Sequence, residues 1–201
     1  MAKIPASRGR PPSVSRELLQ DAAFELFLEQ GYENTPVEHI AHRAGVGRST
    51  FFNHFAAKSD VFWIELDDAL ALLEAGLADT APDAFDVVRR ALFAVADRFG
   101  PDTVPFVLTQ YDLIGSVGEL QATAVTRLAH HASLITRRLE SSEYPRDVSR
   151  AIAFALVAAS VSAARSWASA GTSRGALTPY LQAVVDPILD GFAAIRRSKP
   201  L

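Results

Sequence analysis

Apolar residues recur every three or four positions along nearly the whole chain. No segment alternates apolar and polar side chains with the period of two that a half-buried strand shows. The spacing therefore predicts an all-α fold of about nine helices. The predicted helices lie near residues 15–30, 36–44, 48–55, 58–78, 83–99, 103–114, 119–141, 146–170 and 177–197.

Residues with special backbone preferences mark where several of these helices start and stop. Gly31 ends the first helix. Thr35 is predicted to cap the second helix, and Glu38 to complete a capping box three residues later. Pro187 lies inside the last predicted helix, where it removes a hydrogen-bond donor and crowds the preceding turn. We expect that helix to kink or break there.

The composition indicates a folded, globular chain and excludes several kinds of site. Of the 201 residues, 49% are hydrophobic and 21% are charged, which suits a protein with a buried core. The chain has no cysteine, so disulfides, thiolate metal sites and cysteine nucleophiles are excluded. It has no H-E-x-x-H and no phosphate-binding glycine loop, and a solvent-facing or phosphate-facing role suits its histidines better than a metal site. We therefore expect neither an enzyme nor a metal or cofactor site.

No segment is typical of secretion or of membrane insertion. The first residues are basic but lack the apolar stretch of a signal peptide. The longest uncharged apolar run, 151–164, is shorter than the roughly 20 residues that a bilayer span needs. We expect a cytoplasmic protein without a membrane partner, in which 151–164 is a buried helix.

Basic residues are concentrated in two segments, although the net charge is −3. Residues 1–16 and residues 39–59 contain no acidic side chain. The basic residues of these segments are Lys3, Arg8, Arg10, Arg16, Arg43, Arg48 and Lys58, with three histidines in the second segment. A local excess of positive charge is typical of a surface that binds nucleic acid.

Residues 36–55 have the layout of a helix-turn-helix. A short helix is followed by a turn that contains Gly45 and by a second short helix, which Phe51 and Phe55 attach to a core. Lys58 is expected to start the next helix, whose first N–H groups attract phosphate. The predicted DNA-contacting residues are Thr35, Arg48, Ser49, Thr50, Phe52, Asn53, His54 and Lys58, with Arg8 and Arg10 in a basic arm suited to the minor groove.

Four stretches of the first 58 residues are informative together, namely Leu18–Phe27, Gly31–Ala41, Ala44–Val46 and Thr50–Lys58. Together they resemble the tetracycline-repressor (TetR) family of bacterial transcriptional regulators. Residues 47–52 are similar to the branch of that family with a GR-x-T-F-F recognition helix, some members of which accompany mycofactocin gene clusters. Phe52 stands where the family often has a tyrosine whose hydroxyl contacts phosphate.

The resemblance implies an N-terminal arm and DNA-binding domain over 1–60, a connecting helix over 61–79, and a ligand-binding and dimerisation domain over 80–201. It also implies a homodimer formed through the last two helices, as a palindromic operator in double-stranded DNA requires. Small side chains at 153–164 and the apolar spacing of the last helix suit such an interface, and both equally suit an internal core. The predicted interface residues are Ala159, Ala163, Ile188 and Phe192.

Aromatic side chains in the second half of the chain belong either to the core or to a ligand site, because a bundle with many rings and few polar groups offers an apolar cavity. Phe154 and Phe99 belong to this group, for which the core is the usual place. The candidate ligand-binding residues are Phe93, Phe106, Tyr111, Arg127, His131 and Trp167. The implied ligand is a small apolar or aromatic effector.

The predicted function is transcriptional regulation by a repressor that a small apolar ligand releases from its operator. The alternative is a helical ligand-binding or protein-interaction module that has lost specific DNA binding. The absence of a tyrosine hydroxyl at Phe52 favours this alternative. Binding of DNA from upstream of the protein's own gene, measured at several salt concentrations, distinguishes the two.

Overall fold

The computed structural model describes residues 16–142 and 144–198, with the backbone alone at residues 111, 114, 115 and 194–198. Within these residues the secondary structure is helical and contains no strand, so the predicted all-α class is confirmed. The α-helices are α1 Arg16–Gln30, α2 Val37–Arg43, α3 Arg48–His54, α4 Ile64–Leu77, α5 Ala84–Ala96, α6 Phe106–Thr109, α7 Tyr111–Ser116, α8 Gly118–Glu140, α9 Arg146–Ser169 and α10 Thr178–Ser198. Short 3-10 helices lie at Lys58–Phe62 and Gly171–Ser173.

Three predicted helices differ from the observed ones. The predicted helix 58–78 is divided, because Trp63 separates the first 3-10 helix from α4. The predicted helix 103–114 is also divided, because Gln110 leaves helical geometry between α6 and α7, at φ −108° and ψ 30°. Of the kink or break expected at Pro187, the break is wrong, since α10 continues through it, and the kink stays a prediction. Pro187 and Ala183, whose carbonyl loses its helical partner, are both exposed to water.

The chain divides into two compact units, the first ending at Phe62 and the second beginning at Trp63. In the first unit α1 packs on α2 and on the 3-10 helix, and α2 packs on α3. The Phe62 ring stacks on that of Phe27 with 5.4 Å between the centroids, which attaches the 3-10 helix to α1. The fully buried side chains of this unit include Leu19, Ala23, Ile40, Phe51 and Phe62.

The turn between α2 and α3 depends on Gly45. Its φ of +73° lies in the left-handed region, which a residue without a Cβ adopts at little cost. The Gly45 N–H donates to the carbonyl of His42 at 3.0 Å, and the Val46 N–H donates to the carbonyl of Ala41 at 2.8 Å. This pair of bonds is a Schellman motif, which satisfies the last carbonyls of α2 and turns the chain into α3.

The second unit is a bundle in which α9 packs against both α8 and α10, while α5 packs against α4 and α10. Large side chains of α4, α8, α9 and α10 fill its centre. They include Leu73, Ile135, Leu139, Ile152, Leu156, Trp167 and Leu189. By length and composition α9 also meets the criterion for a membrane-crossing helix, and about a third of that segment is buried in this unit. The expectation that 151–164 is a buried helix is therefore met only in part.

Arg138 joins the end of α8 to the loop that follows α4. The side chain is almost fully buried, and its guanidinium donates hydrogen bonds to the carbonyls of Asp79 and Ala81 and to the hydroxyl of Ser142. These oxygens lie beyond the carboxyl ends of two helices, where the helix dipoles favour a positive charge. The buried guanidinium is therefore satisfied by uncharged groups.

Helices α4 and α5 are in close contact at Gly76. A Cβ at this position would lie 2.8 Å from the Cβ of Ala91 and 3.2 Å from its Cα. Protein interiors are packed too tightly to absorb such an overlap without a shift of the backbone. The distance between α4 and α5 therefore requires glycine at this position.

We predict that Gly76→Ala lowers the free energy of unfolding by about 1–3 kcal/mol, because the added methyl group forces the two helices apart. Ala91→Gly alone should cost about 1 kcal/mol through its lower helix propensity. In the double variant the 2.8 Å overlap with the Ala91 Cβ is absent, so the double loss should be smaller than the sum of the single losses. Urea unfolding of the four proteins measures this coupling, and strictly additive losses would contradict the close contact.

Candidate nucleic-acid interface

The outer face of α3 carries a group of polar side chains. Phe51 turns its ring fully into the core of the first unit, so the other side chains of these two turns face solvent. The exposed residues of α3 are Arg48, Ser49, Phe52, Asn53 and His54, and Thr50 is half-buried. The structure thus brings six of the predicted DNA-contacting residues onto one helix of a helix-turn-helix, with side chains of the kind that recognise base edges and phosphates.

Arg48 is held by two neighbouring side chains. Its Nε lies 2.7 Å from Oε1 of Glu38 on α2. Its guanidinium carbon lies 5.0 Å from the centroid of the Phe52 ring, one turn further along α3. We call Glu38, Arg48 and Phe52 the Arg48 cluster. All three of its side chains are exposed, so the cluster stands on the surface of the helix-turn-helix.

Arg43 is bound within the first unit. Its guanidinium donates to both carboxylate oxygens of Glu29, at 3.0 and 2.7 Å, and to Oε2 of Glu25 at 3.0 Å. The hydrogen bonds from Arg43 hold the pKa of Glu29 below its usual range. Arg43 therefore ties α2 to α1, and two carboxylates balance its charge.

Thr35 does not take either of its predicted roles. It is fully buried, and its hydroxyl donates to the carbonyl of Gly31 at 2.7 Å. Pro36 is the N-cap residue of α2, and no side chain caps this helix. The predicted cap and the predicted DNA contact of Thr35 are therefore wrong. Its buried side chain instead forms a hydrogen bond within the loop between α1 and α2.

Lys58 closes the same loop from its other side. Its Nζ donates to the carbonyls of Tyr32 and Thr35, at 2.7 and 3.0 Å, and lies 4.0 Å from the centroid of the Tyr32 ring. Lys58 begins a 3-10 helix rather than the expected α-helix. The phosphate site expected at this helix start stays a prediction. The direct DNA contact of its ammonium stays a prediction, as do those of Arg8 and Arg10, which lie outside the described residues.

In the second unit, Arg127 links α8 to α4. Its Nε and Nη2 donate to the two carboxylate oxygens of Asp67 at 2.9 and 2.8 Å, and its guanidinium carbon lies 4.7 Å from the Trp63 ring centroid. Nδ1 of His131 lies 2.6 Å from the carbonyl oxygen of Arg127. Burial lowers the pKa of His131 and outweighs the opposing effect of this carbonyl, so the neutral ring donates its Nδ1–H at pH 7.

The described candidate ligand-binding residues line neither of the two surface clefts of the second unit. Phe93 and Phe106 are half-buried. Trp167 is fully buried and its Nε1–H donates to the carbonyl of Gly175 at 2.9 Å, so it is a core residue in this structure. The side chain of Tyr111 lies outside the described residues. Two surface clefts, of about 330 Å³ beside α7 and about 540 Å³ beside the loop after α4, have none of the five described candidates in their lining.

The predicted dimer residues differ in how far they reach the surface. Ala163 is buried inside its own chain, so its assignment to an outward face is wrong. Ala159 is half-buried, and Ile188 and Phe192 are half-buried against the core of the second unit. Their contact with a second subunit stays a prediction.

Phe154, one of the aromatic residues expected in the core or at a ligand site, instead points outward with 54% of its surface exposed. It lies two positions from both Ile152 and Leu156, which are fully buried, and two positions on a helix correspond to about 200° of rotation. Helical spacing therefore contained the signal for its position. Ala151 and Ala158 are exposed on the same side of α9.

The partners of several charged side chains could not be predicted from the sequence. Each of these partners lies on a different helix or loop from the cation that it binds, so no local sequence pattern predicts it. The partners are Glu38, Glu29, Asp67 and the two carbonyls at Arg138. Within the described part of the chain, no group of three or more histidine or carboxylate side chains could hold a metal ion.

Each of the two units contains a segment that matches the model of a known protein family. Residues 19–62 match the model described as bacterial regulatory proteins, tetR family. Residues 83–193 match the model described as the MftR C-terminal domain.

Two curated proteins match most of the chain. The putative mycofactocin biosynthesis transcriptional regulator MftR of Mycobacterium tuberculosis is 27% identical over 79% of this chain and 82% of its own length. The transcriptional activator FasR of Mycolicibacterium smegmatis is 31% identical over 78% of this chain and 74% of its own length.

A solved structure shows the same fold. Thermus thermophilus FadR, a TetR family repressor in complex with lauroyl-CoA, superposes with a TM-score of 0.59 at 23% identity, over 88% of this chain and 94% of that one. With family models covering both units and a relative above 30% identity, the chain belongs to the tetR family of bacterial regulatory proteins, which are DNA-binding transcriptional regulators and not enzymes.

Proposed function

We propose that this regulator binds a palindromic operator as a homodimer and represses transcription until a small apolar effector releases it. The observation that carries the DNA-binding part is the outer face of α3, where Arg48, Ser49, Asn53 and His54 present hydrogen-bond donors beside one another. A short helix that follows a glycine turn can lie in a major groove and place such groups against base edges.

Contacts to bases and contacts to phosphates should respond differently to substitution. Arg48→Ala should relax the preference at one base pair by about 1–3 kcal/mol, because its guanidinium stands at the start of the recognition helix. The joint substitution Arg8→Ala and Arg10→Ala should weaken binding to all sequences alike and lower the salt slope by about one to two units. Gel shifts with DNA from upstream of the gene, with random competitor DNA and at several salt concentrations, measure both effects.

The two outcomes are separable. Uniform losses from both variants would contradict base recognition by α3. Equal affinity for operator and random DNA in the unsubstituted protein would instead support the alternative of a helical module without specific DNA binding.

The exposed apolar side of α9 supports a homodimer. Phe154, Ala151 and Ala158 present a ring and small side chains to solvent, and half-buried Ala159 lies beside them in the chain. A two-fold interface buries the same surface of both subunits, and small residues let two helices approach closely. Ile188 and Phe192, the predicted interface residues of α10, are half-buried and are proposed to complete this interface.

We expect Phe154→Arg to yield a folded monomer, because an unpaired charge in an apolar interface costs several kcal/mol, on the order of 3–5. Leu28→Arg is the matched control, because Leu28 is also apolar and exposed but lies on α1. Sedimentation of both variants measures the assembly. Dimers formed by the Phe154 variant at the concentration of the wild-type protein would place the interface elsewhere.

The second unit is proposed to bind the effector, and α4 to transmit its effect. The FadR neighbour, which was solved in complex with lauroyl-CoA, supports an effector with an apolar chain. Half-buried Phe93 and Phe106 offer apolar surface, and His131 and Arg127 offer polar groups. The Arg127–Asp67 ion pair ties α8 to α4, and Trp63 alone separates the start of α4 from the 3-10 helix of the DNA-binding unit in the chain.

An effector shifts a conformational equilibrium only as far as it prefers one state. If the Arg127–Asp67 pair belongs to the DNA-bound state, Asp67→Asn should weaken operator binding and lower the concentration of lauroyl-CoA that releases the operator, each by about 5- to 150-fold for a coupling of 1–3 kcal/mol. Asp68→Asn, which makes the same charge change one residue further along α4, is the control. If the two variants release the operator at the same concentration of lauroyl-CoA, the Arg127–Asp67 pair does not couple effector binding to DNA binding.

A further inference from the structure

The Arg48 cluster has a composition that is unusual for a surface meant to bind DNA. Glu38 places a carboxylate on the same face as the recognition helix, with Oε1 2.7 Å from Nε of Arg48. Both side chains are more than half exposed, and an ion pair in that setting contributes little to stability. A negative charge there also repels the phosphate backbone. Neither stability of the fold nor general attraction to DNA therefore explains the Glu38–Arg48 pair.

From this geometry we infer that Glu38 and Phe52 are positioning residues that hold Arg48 for recognition of a guanine. The inference rests on the proposed operator binding and specifies its chemistry. Arg48 would meet O6 and N7 of the guanine end-on, through the Nη1 and Nη2 amino groups, because Glu38 occupies the Nε edge of the guanidinium. Among the described residues, the structure gives these terminal amino groups no partner.

The carboxylate of Glu38 favours base recognition by Arg48 over phosphate binding. A phosphate attracts a cation mainly through its net charge, and the charge of Arg48 is balanced by Glu38 at contact distance. The N–H donors of the terminal amino groups remain, and a bidentate contact to guanine depends on their direction. Glu38 thus reduces the attraction to any DNA and retains the donors that distinguish one base from another.

Phe52 restricts the guanidinium from another direction. The guanidinium carbon lies 5.0 Å from the ring centroid, within the range of a cation–π contact. Phe52 is itself positioned by Phe51, whose ring meets it edge-on at 5.5 Å between the centroids. A long, flexible arginine loses conformational freedom when it binds, and side chains that hold it in advance reduce this cost. The ring at position 52 therefore has a function that needs no hydroxyl group.

The experiment starts with selection of binding sites from a random DNA library by the full-length protein. Repetition with Arg48→Ala identifies the base pair whose preference that side chain controls, and we expect a G·C pair. For the unsubstituted protein, replacing that pair by A·T should weaken binding by about 5- to 150-fold. Replacing the guanine by 7-deazaguanine, which lacks only the N7 acceptor, should also weaken it.

Variants of the two positioning residues then test the cluster. Glu38→Gln and Phe52→Leu should each reduce the G·C to A·T penalty at least threefold, and Phe52→Tyr, which keeps the ring, should retain it. Glu25→Gln is the matched control for charge, because Glu25 also pairs with an arginine of this unit, and Arg43 keeps Glu29 as its partner. It should leave the penalty unchanged. Circular dichroism of each variant verifies that the fold is intact.

The outcomes separate this inference from the proposed function. Selection of a defined sequence with no guanine dependent on Arg48, or an unchanged affinity with 7-deazaguanine, overturns the inference and leaves operator binding in place. A penalty that Glu38→Gln and Glu25→Gln change equally overturns the role of Glu38. If no sequence is enriched at all, the proposed function itself fails.

Discussion

Burial of the Phe51 ring is the interaction on which the nucleic-acid interface depends. Helix α3 has seven residues, and a helix of this length is not stable in water by itself. Phe51 is fully buried and Phe55 is 3% exposed, with 5.1 Å between their ring centroids. These two rings determine that α3 forms and how it is rotated about its axis. The directions of Arg48 and Asn53 follow from that rotation.

The helix-turn-helix could be predicted from the sequence because its signals are local. Phe51 and Phe55 are one helical turn apart, and Gly45 sits where the chain needs a positive φ, so each feature involves residues close together in the chain. The outward face of α3 follows from the same spacing. Phe154 was open to the same argument, because its offset from Ile152 and Leu156 places it on the far side of α9.

The choice of partner by each polar side chain could not be predicted in this way. The hydroxyl of Thr35 can cap a helix or donate to a carbonyl. It donates to the Gly31 carbonyl because the fold of the preceding loop places that carbonyl beside it. The Lys58 ammonium binds two carbonyls more than twenty residues earlier in the chain. Trp167 offers an indole N–H that suits a ligand, but the loop after α9 supplies the Gly175 carbonyl instead. Such contacts arise only when distant segments meet.

The internal ties of Arg43 and Lys58 affect how the regulator is distributed over a chromosome. Cations that reach phosphates release counterions from DNA, and this release supplies nearly all non-specific affinity. Two carboxylates neutralise Arg43, whereas the Lys58 ammonium is held by two carbonyls and keeps its charge. The basic residues of 39–59 therefore attract arbitrary DNA less than their number suggests, chiefly because of Arg43. Genomic DNA presents a vast excess of competing sites. A protein that holds its cations internally loses fewer copies to those sites, so fewer molecules suffice to occupy one operator.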